Sequence, residues 1–267
     1  MNILKALFID QIRDKLTAIF PGANSSSHAD ARISVSSVTI NGQDMSGMAG
    51  GATQSATQAR GEMIEQKRPQ DSFAGLVVSL PATITVKRGA TPSATVLAQS
   101  DIQDQITTTL RGGNLVISAK GSFSTRKGIF ISVITDQPLR FADISGAADV
   151  DLGELAGDVA LQVSGTATVK GHGAMKEVNI EHAGVATLTL KGTATRVLLE
   201  KSGAGSANLG ELKATRARLD ISGVGDTEVY ANEVLAADVS GAASLRVLGN
   251  PAQRSVDKSG VASVFFG

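Results

Sequence analysis

The 267-residue sequence has no cysteine and no tryptophan, and it contains one tyrosine and eight phenylalanines. The lack of cysteine excludes disulfides, thiol nucleophiles and thiolate metal sites. The scarcity of aromatic rings removes the platforms on which bases and sugar rings usually stack. Because 25 basic residues balance 25 acidic residues, neither a basic nucleic-acid surface nor an acidic disordered tail is expected.

The start of the chain lacks the uncharged apolar run of a secretory signal or a membrane-spanning helix. Charged residues such as Lys5 and Asp10 interrupt the segment. Its apolar residues nevertheless recur at helical spacing on one stripe, at Leu4, Phe8, Ile12, Leu16 and Ile19. The pattern predicts an amphipathic helix over residues 1–20, which would either pack on its own domain or contact a membrane surface through residues 2–20. The compartment is left open between the cell envelope and the cytoplasm.

Two regions of different character follow this segment. Residues 21–67 are rich in Ser, Gly, Ala and Gln and are predicted to be a linker. One short strand is predicted within the linker at 33–40, followed by a turn at Asn41-Gly42. Residues 68–142 are predicted to be rich in strands, with a turn at Gly112-Gly113 joining two of them. The predicted strands are 76–86, 94–98, 106–110, 115–119 and 128–135.

Residues 143–267 contain an internal repeat, which is the most informative feature of the sequence. A glycine recurs in seven copies, at Gly146, Gly165, Gly184, Gly203, Gly223, Gly241 and Gly260. A serine precedes this glycine in six of the seven copies, and only alanine or glycine stands two residues after it. Such a unit cannot bury its own apolar face, so the copies are predicted to stack on one another.

The repeat predicts an all-β fold, a right-handed parallel β-helix (solenoid) of about seven 19-residue coils. The strand-rich region and the N-terminal helix would precede it. The seven glycines are predicted to be structural corners with a backbone conformation that a Cβ would penalise. The serines beside them are predicted to bridge neighbouring coils. The alternative is a β-prism or trefoil-like arrangement, which six or nine copies would suit better than seven.

An acidic column lies three residues before each corner glycine. Its members are Asp143, Gln162, Glu181, Glu200, Asp220, Asp238 and Asp257. Since like charges on neighbouring strands repel each other, the adjacent His182, Lys201 and Lys258 are expected to extend outward and compensate. The lower part of the column, Asp220, Asp238 and Asp257, is a candidate binding surface. A calcium site there is the sharper hypothesis, and a solvated edge with local pairing is the favoured one.

No motif in the sequence predicts catalysis. The three histidines, His28, His172 and His182, occupy unrelated positions, so a histidine zinc site is not expected. Nucleotide-binding glycine loops, a Walker lysine and a nucleophile elbow are all missing. The protein is therefore predicted to be a non-enzyme with no cofactor and no metal, and not to bind nucleic acid.

The repeats resemble the bacterial putative auto-transporter adhesin family, also called the head GIN domain. The clearest matches are Ser145-Gly146-Ala147-Ala148-Asp149-Val150 and Ser222-Gly223-Val224-Gly225-Asp226, and the resemblance covers roughly residues 73–267. Alanine replaces the second glycine of the family pattern in five of the seven copies. The resemblance implies a non-catalytic β-helical domain of the cell envelope or surface, with an unidentified protein or glycan partner.

A second interpretation is a cytoplasmic, polymer-forming β-helix similar to bactofilins, attached to the membrane through residues 2–20. The amphipathic start favours this interpretation, whereas the Ser-Gly corners and the strand-rich region favour the adhesin type. Phe265 and Phe266 are predicted to cap the last coil, because an uncapped coil is an open sheet edge that would stack end to end. Homo-oligomerisation is left open, since no residue predicts it.

Overall fold

The computed structural model of the protein describes residues 39–40, 43–44 and 57–267. The predicted helix over residues 1–20 and most of the predicted linker lie outside these residues. Within them the chain forms twenty β-strands and one 3-10 turn at Gln103–Gln105. None of the described residues belongs to a helix long and apolar enough to cross a membrane. The all-β prediction is confirmed.

Short strands build the region before the repeats. In chain order they are β1 (Thr39–Ile40), β2 (Gln43–Asp44), β3 (Thr57–Gln58), β4 (Met63–Pro69), β5 (Gly75–Val78), β6 (Thr83–Arg88), β7 (Ser93–Gln99), β8 (Ile106–Arg111), β9 (Asn114–Ala119), β10 (Phe123–Ser124), β11 (Phe130–Thr135) and β12 (Leu139–Ile144). Strands β1 and β2 pair antiparallel on either side of the predicted turn at Asn41-Gly42. Strand β4 begins inside the segment predicted to be a linker.

The repeats form long strands that each span most of a coil. They are β13 (Asp149–Val163), β14 (Thr166–His182), β15 (Val185–Lys201), β16 (Ala204–Ile221) and β17 (Val224–Val239), followed by the shorter β18 (Ala242–Leu248), β19 (Gln253–Lys258) and β20 (Ser263–Phe266). Each pairs in parallel with its neighbour, and equivalent residues of successive repeats lie opposite each other. The predicted solenoid and the length of its coils are confirmed, since a β-prism or trefoil would not stack its copies in this way.

Each coil has two halves, separated by the corner glycine. The leading half comprises the residues up to seven positions before that glycine, and the trailing half comprises those up to seven positions after it. Side chains in both halves alternate between the core and the outer surface, as in any strand. In one coil, for example, Val178 and Ile180 of the leading half and Ala186 and Leu188 of the trailing half are buried. The outer surfaces of the two halves are called here the leading face and the trailing face.

Two further coil levels precede the seven repeats. Strands β5 and β6 occupy the positions of a leading and a trailing half, because β5 pairs in parallel with β12 and β6 with β13. The sequence Ser79-Leu80-Pro81-Ala82 between them stands where the repeats have Ser-Gly-x-Ala. The prediction of one continuous strand over 76–86 was therefore wrong, because the chain turns a corner at Pro81. Strands β9 and β11 stack in parallel on β5 and β6 and form the next level.

Antiparallel strands form the end of the solenoid beyond these two levels. Strand β8 pairs with β9 through the predicted turn at Gly112-Gly113, whose φ angles of 57° and 78° are those of a two-residue hairpin turn. On the other side β7 pairs antiparallel with β11, and β4 with β7. At the opposite end, β19 and β20 pair with β17 and β18 alone among the described strands. The last coil therefore has a free backbone edge within the described chain.

Candidate functional site

The corner glycines stand in a column where successive coils approach each other closely. In four of the copies, Gly165, Gly184, Gly203 and Gly223, a Cβ would lie 2.0–2.1 Å from the carbonyl oxygen of the preceding corner glycine. Among the seven corner glycines, only Gly241 and Gly260 have a positive φ, 81° and 71°, although a backbone conformation that a Cβ would penalise was predicted for all seven. Close stacking of backbones, more than left-handed conformation, therefore explains the regular spacing of glycine in this chain.

The serines beside the corners have a structural use. The hydroxyl of Ser145 donates a hydrogen bond to the carbonyl oxygen of Val78 at 3.3 Å, and Ser240 donates to that of Ile221 at 3.4 Å. Both acceptors belong to the preceding coil level, so these hydroxyls link neighbouring coils as predicted. The bonds are long and contribute modestly.

The acidic column forms a continuous ladder along the leading face, with each member opposite the next. All of its members are half-buried except Asp257, which is exposed. The amide of Gln162 donates to the carboxylate of Glu181 at 3.1 Å. Burial raises the pKa of Asp143, and the negative charge of Glu181 raises it further. The part of the acidic column from Asp143 to Glu181 is therefore a surface where negative charge is partly desolvated.

Two of the three basic residues expected to compensate the acids lie inside the protein instead. His182 is 1% exposed and Lys201 is 0% exposed. They occupy the same inward register as Val163 and Ile221. The expectation that they extend outward was wrong, because a residue that follows an outward acid on a strand points into the core. Lys258, in the last coil, is exposed.

The buried His182 and Lys201 each reach a backbone carbonyl near a corner. The ammonium group of Lys201 donates to the carbonyl oxygen of Val224 at 3.0 Å, and Nε2 of His182 lies 3.0 Å from that of Ala186. Burial lowers the pKa of His182, and the nearby charge of Lys201 adds to this effect. Burial also lowers the pKa of Lys201, against an opposing effect of Asp226. Their enclosure assigns both side chains to the core rather than to a surface site.

The lower ladder of Asp220, Asp238 and Asp257 is brought together in register, as predicted. Within residues 57–267, however, no group of three or more His, Asp or Glu side chains is arranged to hold a metal ion. The geometry therefore adds no support to the calcium hypothesis, and binding at this ladder stays a prediction.

A groove of about 710 Å³ runs beside the corners on the trailing face. One wall comes from β10 and the residues between β10 and β11, and includes Phe123 and Thr125. The floor is built from small outward residues of successive coils, among them Ala147, Thr166 and Val185. The groove was not predictable from the sequence, because its wall lies in the strand-rich region, which stacks on the repeats without sharing their periodic pattern.

Phe266 and Arg254 contact each other in the last coil. Phe266 lies opposite the buried Val247, and the guanidinium group of Arg254 is 4.7 Å from the centre of its ring. Arg254 also donates to the carbonyl oxygen of Pro251 at 3.0 Å. Phe265 lies on the outer surface and is 58% exposed. Phe266 is itself 44% exposed, so within the described chain it covers the last coil only in part, and Phe265 does not contribute to the predicted cap.

Residues 72–251 match the family described as putative auto-transporter adhesin, head GIN domain. The chain belongs to this family. The resemblance seen in the Ser-Gly repeats is thereby confirmed. A comparison of this head GIN protein with curated proteins found no match.

Solved structures of adhesin-type proteins share the fold of this head GIN domain. A putative adhesin from Bacteroides fragilis superimposes with a TM-score of 0.75 at 22% identity, covering 79% of this chain and 100% of the other. A putative adhesin from Parabacteroides distasonis gives 0.62 at 17% identity, with 79% and 100% covered. A putative lipid binding protein from the same species gives 0.56 at 17% identity, with 79% and 99% covered. At such identities the likeness shows the fold alone.

Proposed function

We propose that this head GIN domain is a non-catalytic, adhesin-type binding domain that holds a segment of a partner protein in the trailing-face groove. Membership of the adhesin family supports the type of function. The observation that supports the groove as the binding site is the exposure of aliphatic side chains in and beside it. Val185 is 62% exposed and Val224, further along the same column, is 56% exposed. Exposed aliphatic side chains in a continuous row are typical of contact surfaces.

A protein partner fits the lining better than a glycan does. Among the described residues that line the groove, Phe123 supplies the only aromatic ring and Asp149 the only charge. Sugar rings are usually held by aromatic platforms and carboxylates, both of which are scarce here. A volume of about 710 Å³ lies within the size range of ligand clefts, about 300–1,000 Å³. A short extended peptide segment would fill such a cleft.

Adhesion of protein-coated beads tests this proposal. Beads carrying the full chain would be incubated with a panel of bacterial and epithelial cells, with and without prior treatment of the cells by protease or by periodate. We expect binding to be lost after protease treatment and kept after periodate treatment, which destroys glycans. Thr166→Arg, which fills the groove with a long charged side chain, should reduce binding at least tenfold.

Val261→Arg is the matched control, because Val261 is 84% exposed at the equivalent position of the last coil and lies outside the lining of the groove. It should bind as the unchanged protein does. Binding that survives Thr166→Arg would contradict the proposal that the partner binds in the groove. Binding lost after periodate treatment alone would indicate a glycan partner.

We also propose that the domain acts at the cell envelope, in keeping with its family. Protease treatment of intact cells beside a lysed control tests this placement. The rival, a cytoplasmic polymer of the bactofilin type, requires coils to stack end to end. Arg254 and Lys258 occupy inward positions of the last coil, where such stacking would bury their charges.

A further inference from the structure

A second pocket, of about 440 Å³, lies next to the trailing-face groove. The described residues that line it are Gln58, Ala59, Arg60, Ser124, Thr125 and Arg126. It is called here the arginine pocket. Ser124 and Thr125 also line the groove, so the two depressions adjoin each other at β10. A molecule held in the groove can therefore extend into the arginine pocket.

The register of β3 and β10 brings the two arginines of this pocket together. The strands run parallel with Gln58 opposite Ser124, and the amide of Ala59 continues the pairing by donating to the carbonyl oxygen of Ser124 at 2.9 Å. The next step of this register sets Arg60 beside Arg126, and both line the pocket. Side chains two residues apart on a strand share a face. In agreement, the guanidinium group of Arg60 donates a hydrogen bond of 3.1 Å to the side-chain oxygen of Gln58.

The two positive charges of the arginine pocket are not balanced by acids. Arg60 and Arg126 are exposed, and neither forms an ion pair in the part of the chain that the structure describes. The described lining of the pocket contains no acidic residue. Because like charges on neighbouring strands repel each other, an anion bound between the two guanidinium groups would relieve their repulsion.

Hydrogen bonds from outside the pocket hold its two walls in place. The carboxylate of Asp101 accepts from the backbone amides of Arg60 at 2.6 Å and of Gly61 at 3.2 Å. These backbone hydrogen bonds lower the pKa of Asp101, and they engage its carboxylate with the backbone rather than with a guanidinium group. The hydroxyl of Thr125 donates to the side-chain oxygen of Gln99 at 2.6 Å, and the amide of Gln99 donates to the carbonyl oxygen of Gly61 at 3.0 Å. Gln99 therefore joins the two segments that carry the arginines.

We propose that the arginine pocket binds a carboxylate group of the partner segment held in the trailing-face groove. A guanidinium group suits this ligand because it donates two parallel hydrogen bonds to the two oxygens of a carboxylate. The carboxylate belongs to an Asp or Glu side chain of the segment or to its C-terminus. This inference rests on the proposed function, since the groove supplies the contact that brings the carboxylate to the pocket.

Chemical modification of arginine tests the pocket by itself. Phenylglyoxal reacts with accessible guanidinium groups, and mass spectrometry of the full chain gives the reaction rate at each arginine. We expect N-acetylglutamate α-methylamide and N-acetylalanine, which carry a side-chain and a C-terminal carboxylate, to slow the reaction at Arg60 and Arg126 by about threefold or more. N-acetylglutamine α-methylamide, which has no carboxylate, should not slow it. Arg111, which is exposed outside the pocket, is the internal control and should react at the same rate throughout.

Two pools of random-sequence peptides test whether the pocket and the groove act together. One pool ends in an amide and the other in a free carboxylate, and peptides retained by the immobilised full chain are sequenced. An acidic side chain as ligand predicts enrichment of Asp and Glu in the amide pool by about threefold or more, whereas a C-terminal carboxylate predicts preferential retention of the other pool. Arg60→Gln with Arg126→Gln should abolish the preference without abolishing retention. Lys120→Gln with Lys127→Gln, which removes as much charge outside the pocket, is the matched control and should keep the preference.

The outcomes separate this inference from the proposed function. Peptides retained without any preference for a carboxylate would overturn the inference and leave the groove as a binding site. A preference that persists in Arg60→Gln with Arg126→Gln would place the carboxylate elsewhere and overturn it as well. If the unchanged protein retained no peptide, the proposed function would be contradicted, and the modification rates at Arg60 and Arg126 would then decide whether the pocket binds a carboxylate.

Discussion

Polar side chains enter the core of this protein at two neighbouring coil levels, where His182 and Lys201 lie directly opposite each other. Burial of a charged group is costly unless it is paired, and each of these groups has only a backbone carbonyl as its hydrogen-bonded partner among the described residues. The core is therefore sensitive to protonation at this point.

The stability of the protein should fall in acid because of His182. Its pKa is lowered in the folded protein, so the unfolded chain binds the proton at a higher pH. The free energy of unfolding therefore decreases as the pH falls below the ordinary value of about 6.5. We expect His182→Ile, which matches the isoleucine elsewhere in this column, to reduce that decrease, as measured by urea unfolding at several pH values. His172→Gln, at an exposed position, should show the same decrease in the free energy of unfolding as the unchanged protein. An equal decrease in both variants would assign the acid sensitivity to another group.

Corner glycines should be intolerant of even one methyl group. A Cβ at position 184 would lie 2.0 Å from the carbonyl oxygen of Gly165, and backbone atoms cannot move aside as a flexible side chain can. We expect Gly184→Ala to lower the free energy of unfolding by about 1–3 kcal/mol. Gly121→Ala is the control, since the nearest atom to its Cβ would be 4.0 Å away. Denaturant unfolding measures both, and similar values would contradict the stacking argument.

At the scale of the element, the sequence predicted the repeats and failed where the spacing was interrupted. The regularly spaced Ser-Gly pairs identify the coils, because the backbone of each corner packs closely against the backbone of the preceding corner. At the level of β5 and β6, Leu80 replaces the glycine, and strands β7 to β11 intervene before β12 resumes the stack. Periodicity cannot detect a coil that is interrupted in this way, although Ser79 and Ala82 keep their places.

Side-chain direction was predictable in part. Alternation along the strand places the acidic column outside, and the same alternation places His182 and Lys201 inside. The expectation that these two side chains extend outward was wrong because it followed from their charge and not from their position in the strand. The small cluster of Phe141, Ala160 and Leu198 was not predictable. Its members stand in the outward register, and only the folded structure shows that they are shielded from water.

Removal of one complete coil should leave a folded protein. Deletion of the segment 185–203 removes one repeat and joins Gly184 to Ala204, which keeps the strand register on both sides. Solenoid stability is close to a sum over coils and their interfaces, so we expect cooperative unfolding at a lower melting temperature. Deletion of the segment 185–193 is the control, because it leaves half a coil and should abolish the fold. Circular dichroism distinguishes the two outcomes, and loss of the fold in both would argue against coil-by-coil assembly.

At the scale of the whole molecule, the last coil ends in charges that oppose growth. Arg254 and Lys258 stand at inward positions of β19, and inward charges on an edge strand prevent pairing with another edge. We expect the full chain to show no filaments by negative-stain microscopy. Arg254→Val with Lys258→Val should promote end-to-end association, seen as larger species by sedimentation velocity. Filaments of the unchanged protein would instead support the polymer-forming interpretation.

The direction of the hydrogen bonds has a mechanical consequence. The bonds that join the coils run along the length of the solenoid, since the strands lie across it. Tension applied to the last coil along that length would be carried by the bonds between one pair of coils at a time, and the coils would peel away in succession. Tension applied sideways to several coils would be shared among them. We therefore expect a partner that bears mechanical load to bind along the side of the solenoid rather than at its last coil.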